Sequence, residues 1–151
     1  MATIELNDEE IRRALNNLLA TAGNLNPVLS EIGEHLVEST KRRFGALTGP
    51  DGGHWEDNSP VTVERKGRNQ PLTEHGSLGE QIHAQLLGNN TLAVGSSMEY
   101  AAMQQFGGSR SEFPNLWGDI PARPFLGISG DDKTQILDII AAHLRARHKR
   151  L

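Results

Sequence analysis

The chain has 151 residues, 36% of them hydrophobic, a formal net charge of −4 and no cysteine. That length and apolar content suit a single domain (1–151) with one real core. Disulfides, thiolate metal sites and thiol catalysis are excluded, the acidic balance argues against a coat for nucleic acid, and no apolar run nears the ~18 residues of a membrane span. Met1-Ala2-Thr3-Ile4-Glu5 has neither a basic start nor an apolar stretch, so no signal peptide is expected and a soluble cytoplasmic protein is the default.

Charge is unevenly placed. Residues 1–40 hold seven acidic groups against two basic ones, whereas Arg145, Arg147, Lys149 and Arg150 crowd the end of the chain with no acid among them. Opposite charges at the two ends suit head-to-tail contacts between subunits. The plainer reading is a complement to helix dipoles and a solvated tail.

Taken in order, Ala2–Leu6 alternates as a short strand would. Asn7 then reads as a helix N-cap with Glu10 as its capping-box partner. Ile11, Ala14, Leu15, Leu18, Leu19 and Ala22 recur at helical spacing, and Gly23-Asn24 ends that helix. A longer helix starts near Asn26, with Pro27 in its first turn, and runs to Phe44. Its buried face is Val28, Leu29, Ile32, Leu36, Val37 and Phe44, and its wet face is Glu31, Glu34 and Glu38. Lys41, Arg42 and Arg43 fall in the last turn, where cations oppose the dipole.

Residues 45–71 carry eight glycines and prolines, with Pro50-Asp51-Gly52 as a turn signal. A loop this long is uncommon in a compact domain unless it works as one; it is expected to be a mobile arm that orders on a partner. Gln81–Leu86 alternates polar and apolar, Gly88-Asn89-Asn90 turns the chain, and Leu92 and Val94 mark a return strand, which together predict a β-hairpin. Met98–Phe106 reads as a short helix, with Tyr100 and Phe106 as core residues. Pro121-Ala122-Arg123-Pro124 forces an extended path, after which Phe125, Leu126 and Ile128 suit a short strand. A last helix starts between Ser129 and Asp132 and buries Ile136, Leu137, Ile140 and Leu144. The fold class is α+β: an N-terminal helix pair with a long second helix, a small antiparallel sheet containing a hairpin, and a C-terminal helix.

Catalytic signatures are missing from the sequence. It holds no phosphate-binding Gly-rich loop, and Gly127-Ile128-Ser129-Gly130 lacks the spacing of a nucleophile elbow. Glu34-His35 is not followed by a histidine at position 39, so no zinc-protease pair forms, and His35 is read as a partly exposed helix residue. Asp51-Gly52-Gly53-His54 is read as a turn rather than a cation loop. His54, His75 and His83 are the histidines that distant convergence could recruit. No enzyme, cofactor, metal or membrane partner is expected, and direct nucleic-acid binding is not the leading reading.

Read as a series, the loop and hairpin elements form a pattern. Phe44 is followed by Pro50-Asp51-Gly52 and Trp55, then Leu72-Thr73, Gly76-Ser77-Leu78 and Ile82, then Val94-Gly95-Ser96 and Tyr100-Ala101, then Gln105-Phe106-Gly107-Gly108, then Pro121-Ala122-Arg123-Pro124-Phe125-Leu126-Gly127-Ile128. In its order and its ending this series resembles the phage virion morphogenesis family, the group of the Mu-type G protein and tail completion protein S. The resemblance implies a structural role late in assembly: completing or capping the tail, or preparing it to join the head. It also implies a homo-oligomer, in some relatives a ring, that docks on other neck or tail proteins in the host bacterial cytoplasm and in the virion. A head-assembly factor absent from the finished particle, a particle-processing hydrolase and a DNA-binding accessory module are the rival readings.

The residues singled out for interfaces are Trp55, Trp117, Arg123, Phe125, Arg65, Lys66, Arg145 and Arg147. Trp55 suits an anchor in a neighbouring subunit or, with equal weight, a lid on its own core. Arg123, held stiffly between two prolines, suits a fixed salt bridge or an internal cap.

Overall fold

The computed structural model describes residues 8–55, 81–88, 90–96, 101–107, 111 and 121–149. Among these residues the elements are α1 (Glu9–Ala22), α2 (Asn26–Ala46), β1 (Ile82–Leu87), β2 (Thr91–Ser96), α3 (Ala101–Phe106) and α4 (Gly130–Lys149). The expected α+β arrangement is present, with a helix pair, a hairpin and a C-terminal helix.

Local chemistry explains the ends of α1. The N-cap is Asp8, whose carboxylate accepts from the Ile11 N–H at 3.0 Å; Asn7, the expected cap, lies outside the described residues. The capping box expected between Asn7 and Glu10 therefore falls outside them as well, but Glu10 has another partner. It shares Lys133 Nζ with Asp8, each carboxylate at 3.1 Å, so the first turns of α1 and α4 are tied together. Gly23, at φ 73°, donates its N–H to Leu19 O and ends the helix as predicted.

The long helix α2 has 21 residues, roughly 32 Å of axis. It runs past Phe44 to Ala46 and closes on Leu47 in the left-handed region at φ 58°. Val28, Leu29, Ile32, Leu36 and Phe44 are buried as expected, and Glu31, Glu34 and Glu38 are exposed. The buried face also includes Ser39, Thr40 and Arg43, which hydrophobicity alone does not select. Thr40 satisfies its hydroxyl by donating to Leu36 O at 2.6 Å.

Two apolar clusters flank α2. The first joins α1, α2 and α4 through Ile11, Leu18, Val28, Ile32, Leu36, Ile136 and Ile140, with Leu92 and Val94 of the hairpin against it. The hairpin approaches α2 closely because position 33 is glycine. A Cβ there would lie 3.0 Å from both Ala84 Cβ and Leu92 Cδ1. The strands pair antiparallel from Ile82↔Ser96 to Leu87↔Thr91. Alternation predicts a buried face of Ile82, Ala84 and Leu86, yet only Ile82 is buried on β1. A two-stranded ribbon resting on one helix leaves the outer part of its apolar face uncovered.

The second cluster is Phe44, Trp55, Ile82, Ala101, Phe125 and Leu126. The Phe125–Ile128 segment is irregular with a bend at Gly127, not the expected short strand. A side chain replaces the ladder: Gln105 Oε1 accepts from the N–H groups of Phe125 and Leu126, both at 3.0 Å, and Gln105 Nε2 donates to Leu126 O. Because Ala101 and Gln105 are the inward positions of α3, Phe106 turns outward and is 61% exposed, contrary to its expected core role. Tyr100 lies outside the described residues. Gly127, at φ 146°, passes so close to the Pro50 turn that a Cβ would meet Pro50 Cγ at 2.7 Å. Gly127→Ala is therefore expected to cost about 1–3 kcal/mol in urea unfolding through both the clash and the backbone angle.

Candidate functional site

Arg43 stands at the end of a Lys41-Arg42-Arg43 run that the sequence presents as solvated cations. Its helical phase decides otherwise. Position 43 continues the stripe of Ile32, Leu36 and Thr40, so its side chain turns inward while Lys41 and Arg42 remain exposed. Opposite it, the Ser129-Gly130-Asp131-Asp132 start of α4 forms a reciprocal capping box. The Asp132 N–H donates to Ser129 Oγ and the Ser129 N–H donates to Asp132 Oδ2, both at 3.0 Å.

These two local features meet. Arg43 Nη2 donates to Asp132 Oδ2 at 2.5 Å, with the side chains only 6% and 2% exposed. Arg43 Nη1 donates to Phe125 O at 2.6 Å, and Nη2 also reaches Gly127 O at 3.2 Å. The other carboxylate oxygen, Asp132 Oδ1, takes the Ser39 hydroxyl at 2.6 Å and faces His35 Nε2 at 3.0 Å. Burial pushes the Asp132 carboxyl up, but the hydrogen bonds from Ser39 and Ser129 and the charge of Arg43 outweigh it and hold the group below its ordinary value. Burial also lowers the Arg43 pKa, against the pull of Asp132.

A polar cleft of about 700 Å³ opens over this hub, lined by His35, Ser39, Arg42, Pro50, Ser129 and Gln135 among others. Serine, histidine and aspartate are therefore together, but not in nucleophilic order. An activated serine donates its proton to the histidine. Here Ser39 donates to Asp132, and His35 binds that same oxygen. The arrangement can hold a carboxylate in place and clamp a passing chain segment. Of the other histidines considered for catalysis, His54 Nδ1 bonds Trp55 O at 2.8 Å and His83 bonds Gln81, while His75 lies outside the described residues. Among the described residues no group of three or more metal-type ligands forms.

The hub is extended by the turn after α2. Thr48 and His54 bridge, Gly52 at φ 85° makes the predicted Pro50-Asp51-Gly52 turn, and Trp55 donates its N–H to Leu47 O at 2.7 Å. Trp55 is 2% exposed. It meets Phe44 edge-on at 5.3 Å between centroids, and its Nε1 donates to Pro124 O at 2.7 Å. Of the two readings open for Trp55, the structure places it inside this chain. The first part of the expected mobile arm, residues 45–55, is a helix end and a packed turn; residues 56–71 lie outside the described residues.

Phe125, offered as an interface residue, is fully buried against Phe44 at 5.7 Å, because its flanking carbonyls and amides are taken by Arg43 and Gln105. Arg123 is 8% exposed, with its backbone N–H on Gln104 O at 2.8 Å, so it too faces inward. Arg145 is exposed on α4, and Arg147 lies on the same helix. Arg65, Lys66 and Trp117 lie outside the described residues. Sequence reasoning missed Arg43, Asp132 and Gln105. The phase of Arg43 and the Ser-x-x-Asp spacing were available signals for the first two; Gln105 stands in the motif series, but nothing there assigns it a role.

Fold and hub define a small α+β protein whose buried charges bind its own elements to one another. A family model described as the phage virion morphogenesis family matches residues 6–145, and the chain belongs to that family. It is 27% identical to tail completion protein S of Escherichia phage P2, over 89% of this chain and 97% of that protein. It is 31% identical to "Putative capsid assembly protein G" of Escherichia phage Mu, over 74% of each. It is 30% identical to Mu-like prophage FluMu G protein 2 of Haemophilus influenzae, over 93% of this chain and 94% of that one. No solved structure matches the chain significantly.

Asp132→Asn strands a buried guanidinium and is expected to cost about 3–5 kcal/mol by chemical unfolding. Arg43→Met with Asp132→Asn should cost less than the sum of the single changes, because neither ion is then left alone. The Asp132 pKa is lowered on folding, so its contribution is full above the unfolded value of about 3.9 and is lost as pH falls through the lower folded value. Asp132→Asn should remove that part of the acid limb in a stability–pH profile.

Proposed function

We propose that this chain is a non-enzymatic assembly protein of a tailed phage or prophage, which completes the tail or joins it to the head by oligomerising and docking on other virion proteins. The observation that carries the reading is the near end-to-end match with a protein named for tail completion. The build of the hub agrees with it: Ser39, His35 and Asp132 hold one another and Arg43 clamps backbone, so the most reactive-looking cluster is committed to structure. The setting is the host bacterial cytoplasm during assembly, and then the tail or neck of the particle.

A second reading moves the work to the head, as a factor absent from the finished virion. The relative named for capsid assembly favours it. Deleting the gene from its phage and viewing lysates by electron microscopy tests both. The expected result is filled heads and tails that remain apart, with infectivity restored by adding the purified protein. Missing or malformed heads would favour the second reading, and normal infectious virions would overturn both. Mass spectrometry of purified virions should find the chain in the particle under the first reading only.

A further inference from the structure

Between the hairpin and α2 lies a groove of about 500 Å³, lined by Val37, Ala84, Leu86 and Leu92 and rimmed by Glu34 and Glu38. Its apolar floor ends in Leu86, which is 37% exposed. Glu34 and Glu38 are four residues apart on one helix and so form one ridge of two negative charges. Among the described residues neither has an ionic partner, whereas Glu31, one turn earlier, is engaged by His143 Nε2 at 2.6 Å.

The complementary surface is on the same chain. Positions 145 and 149 of α4 are also four residues apart and carry Arg145 and Lys149, with Arg147 between them. Within one copy the two ridges are offset from each other along the helices. α4 runs antiparallel to α2, since Asp132 meets Ser39 and Arg43 while His143 meets Glu31. Beyond His143 the helix moves away from Glu34 and Glu38. The centres of the two ridges are roughly 13 Å apart along the helix axes, and Lys149 and Glu38 roughly 20 Å. Both exceed the ~8 Å screening length at physiological salt; the nearest pair, Arg145 and Glu34, is offset by roughly 8 Å and forms no ion pair among the described residues.

We propose that the groove receives the basic C-terminal end of α4 from a second copy of this chain. Arginine and lysine stems lie along Leu86 and Leu92, and their charged ends reach Glu34 and Glu38. The matching four-residue spacing sets the register. Donor and acceptor surfaces differ, so the contact is head-to-tail and each copy keeps one free surface of each kind; such contacts build rings or open filaments rather than closed dimers. This deepens the oligomerising role proposed above and rests on it.

The test is sedimentation velocity of the purified full chain across a concentration series. Self-association is expected, and it should weaken in ~1 M salt, where screening falls to about 3 Å. Glu34→Lys with Glu38→Lys, and separately Arg145→Glu with Lys149→Glu, should each weaken it at least about tenfold in Kd. The two variants mixed should grow again with the copies alternating, because the native donor of one meets the native acceptor of the other and the two reversed surfaces also match. Both pairs of changes in one chain should restore growth. Unchanged circular dichroism and melting would show that the variants fold. A wild-type chain that stays monomeric, or oligomers indifferent to the reversals, would overturn the inference while leaving the assembly role to the lysate experiment. Normal virions without a chain that does oligomerise this way would overturn the role and leave the contact standing.

Discussion

The ion pair between Arg43 and Asp132 is the constraint on which the other contacts depend. Two charges taken out of water lose solvation worth several kcal/mol each, and their attraction offsets this only when the remaining donors and acceptors are also satisfied. Here they are. The guanidinium also holds two backbone carbonyls, and the carboxylate takes a serine hydroxyl, a backbone N–H and a histidine nitrogen. The bonds come from three parts of the chain. The pair therefore fixes, at one point, the end of α2, the start of α4 and the Phe125–Gly127 segment between them. An apolar contact could hold these pieces together, but it would not fix their register with comparable angular precision.

The segment ending Pro-Ala-Arg-Pro-Phe-Leu-Gly takes on a different meaning from this hub. It is an irregular strap with no strand beside it among the described residues. Its carbonyls go to Arg43 and Trp55, its amides go to Gln105, and its glycine lies against Pro50. A motif of this kind can characterise a family because it closes the frame, with no need for any of its residues to touch a partner. Trp55 serves the same end. A large amphipathic ring in a glycine-rich turn has the chemistry of an interface anchor, and equally of a staple that joins a turn to a strap through one N–H and one edge-on ring contact.

With those residues turned inward, the surface features left for contact lie elsewhere. Among the described residues they are the outer face of the hairpin, the acidic side of α2, exposed Phe106 and Arg145 on α4. The hairpin is instructive because its alternation was read correctly as a strand pattern while its burial was not. Period-two patterning reports which side chains share a face. Whether that face is covered depends on what packs against it, and one helix covers only the Ile82 end and the Gly33 crossing.

Sequence by itself determined the elements whose cause is local. The helical spacing in α1, α2 and α4, the Gly23 stop, the Pro50–Gly52 turn and the end of β1 at Gly88 each follow from one residue's conformational freedom or from helical and strand periodicity. The ordered motif series likewise marked the family without any structure. Tertiary structure alone decided the roles of the polar and aromatic residues. Arg43 reads as a dipole-complementing cation until Asp132, 89 positions away, is set beside it. Gln105 reads as a surface amide until the strap's unpaired backbone arrives, and Phe106 reads as core until Gln105 claims the inward position. The physical reason is the same in each case. Backbone propensity and hydrophobic period are properties of neighbouring residues, whereas burial of a charge or an amide is decided by whether a distant partner satisfies it.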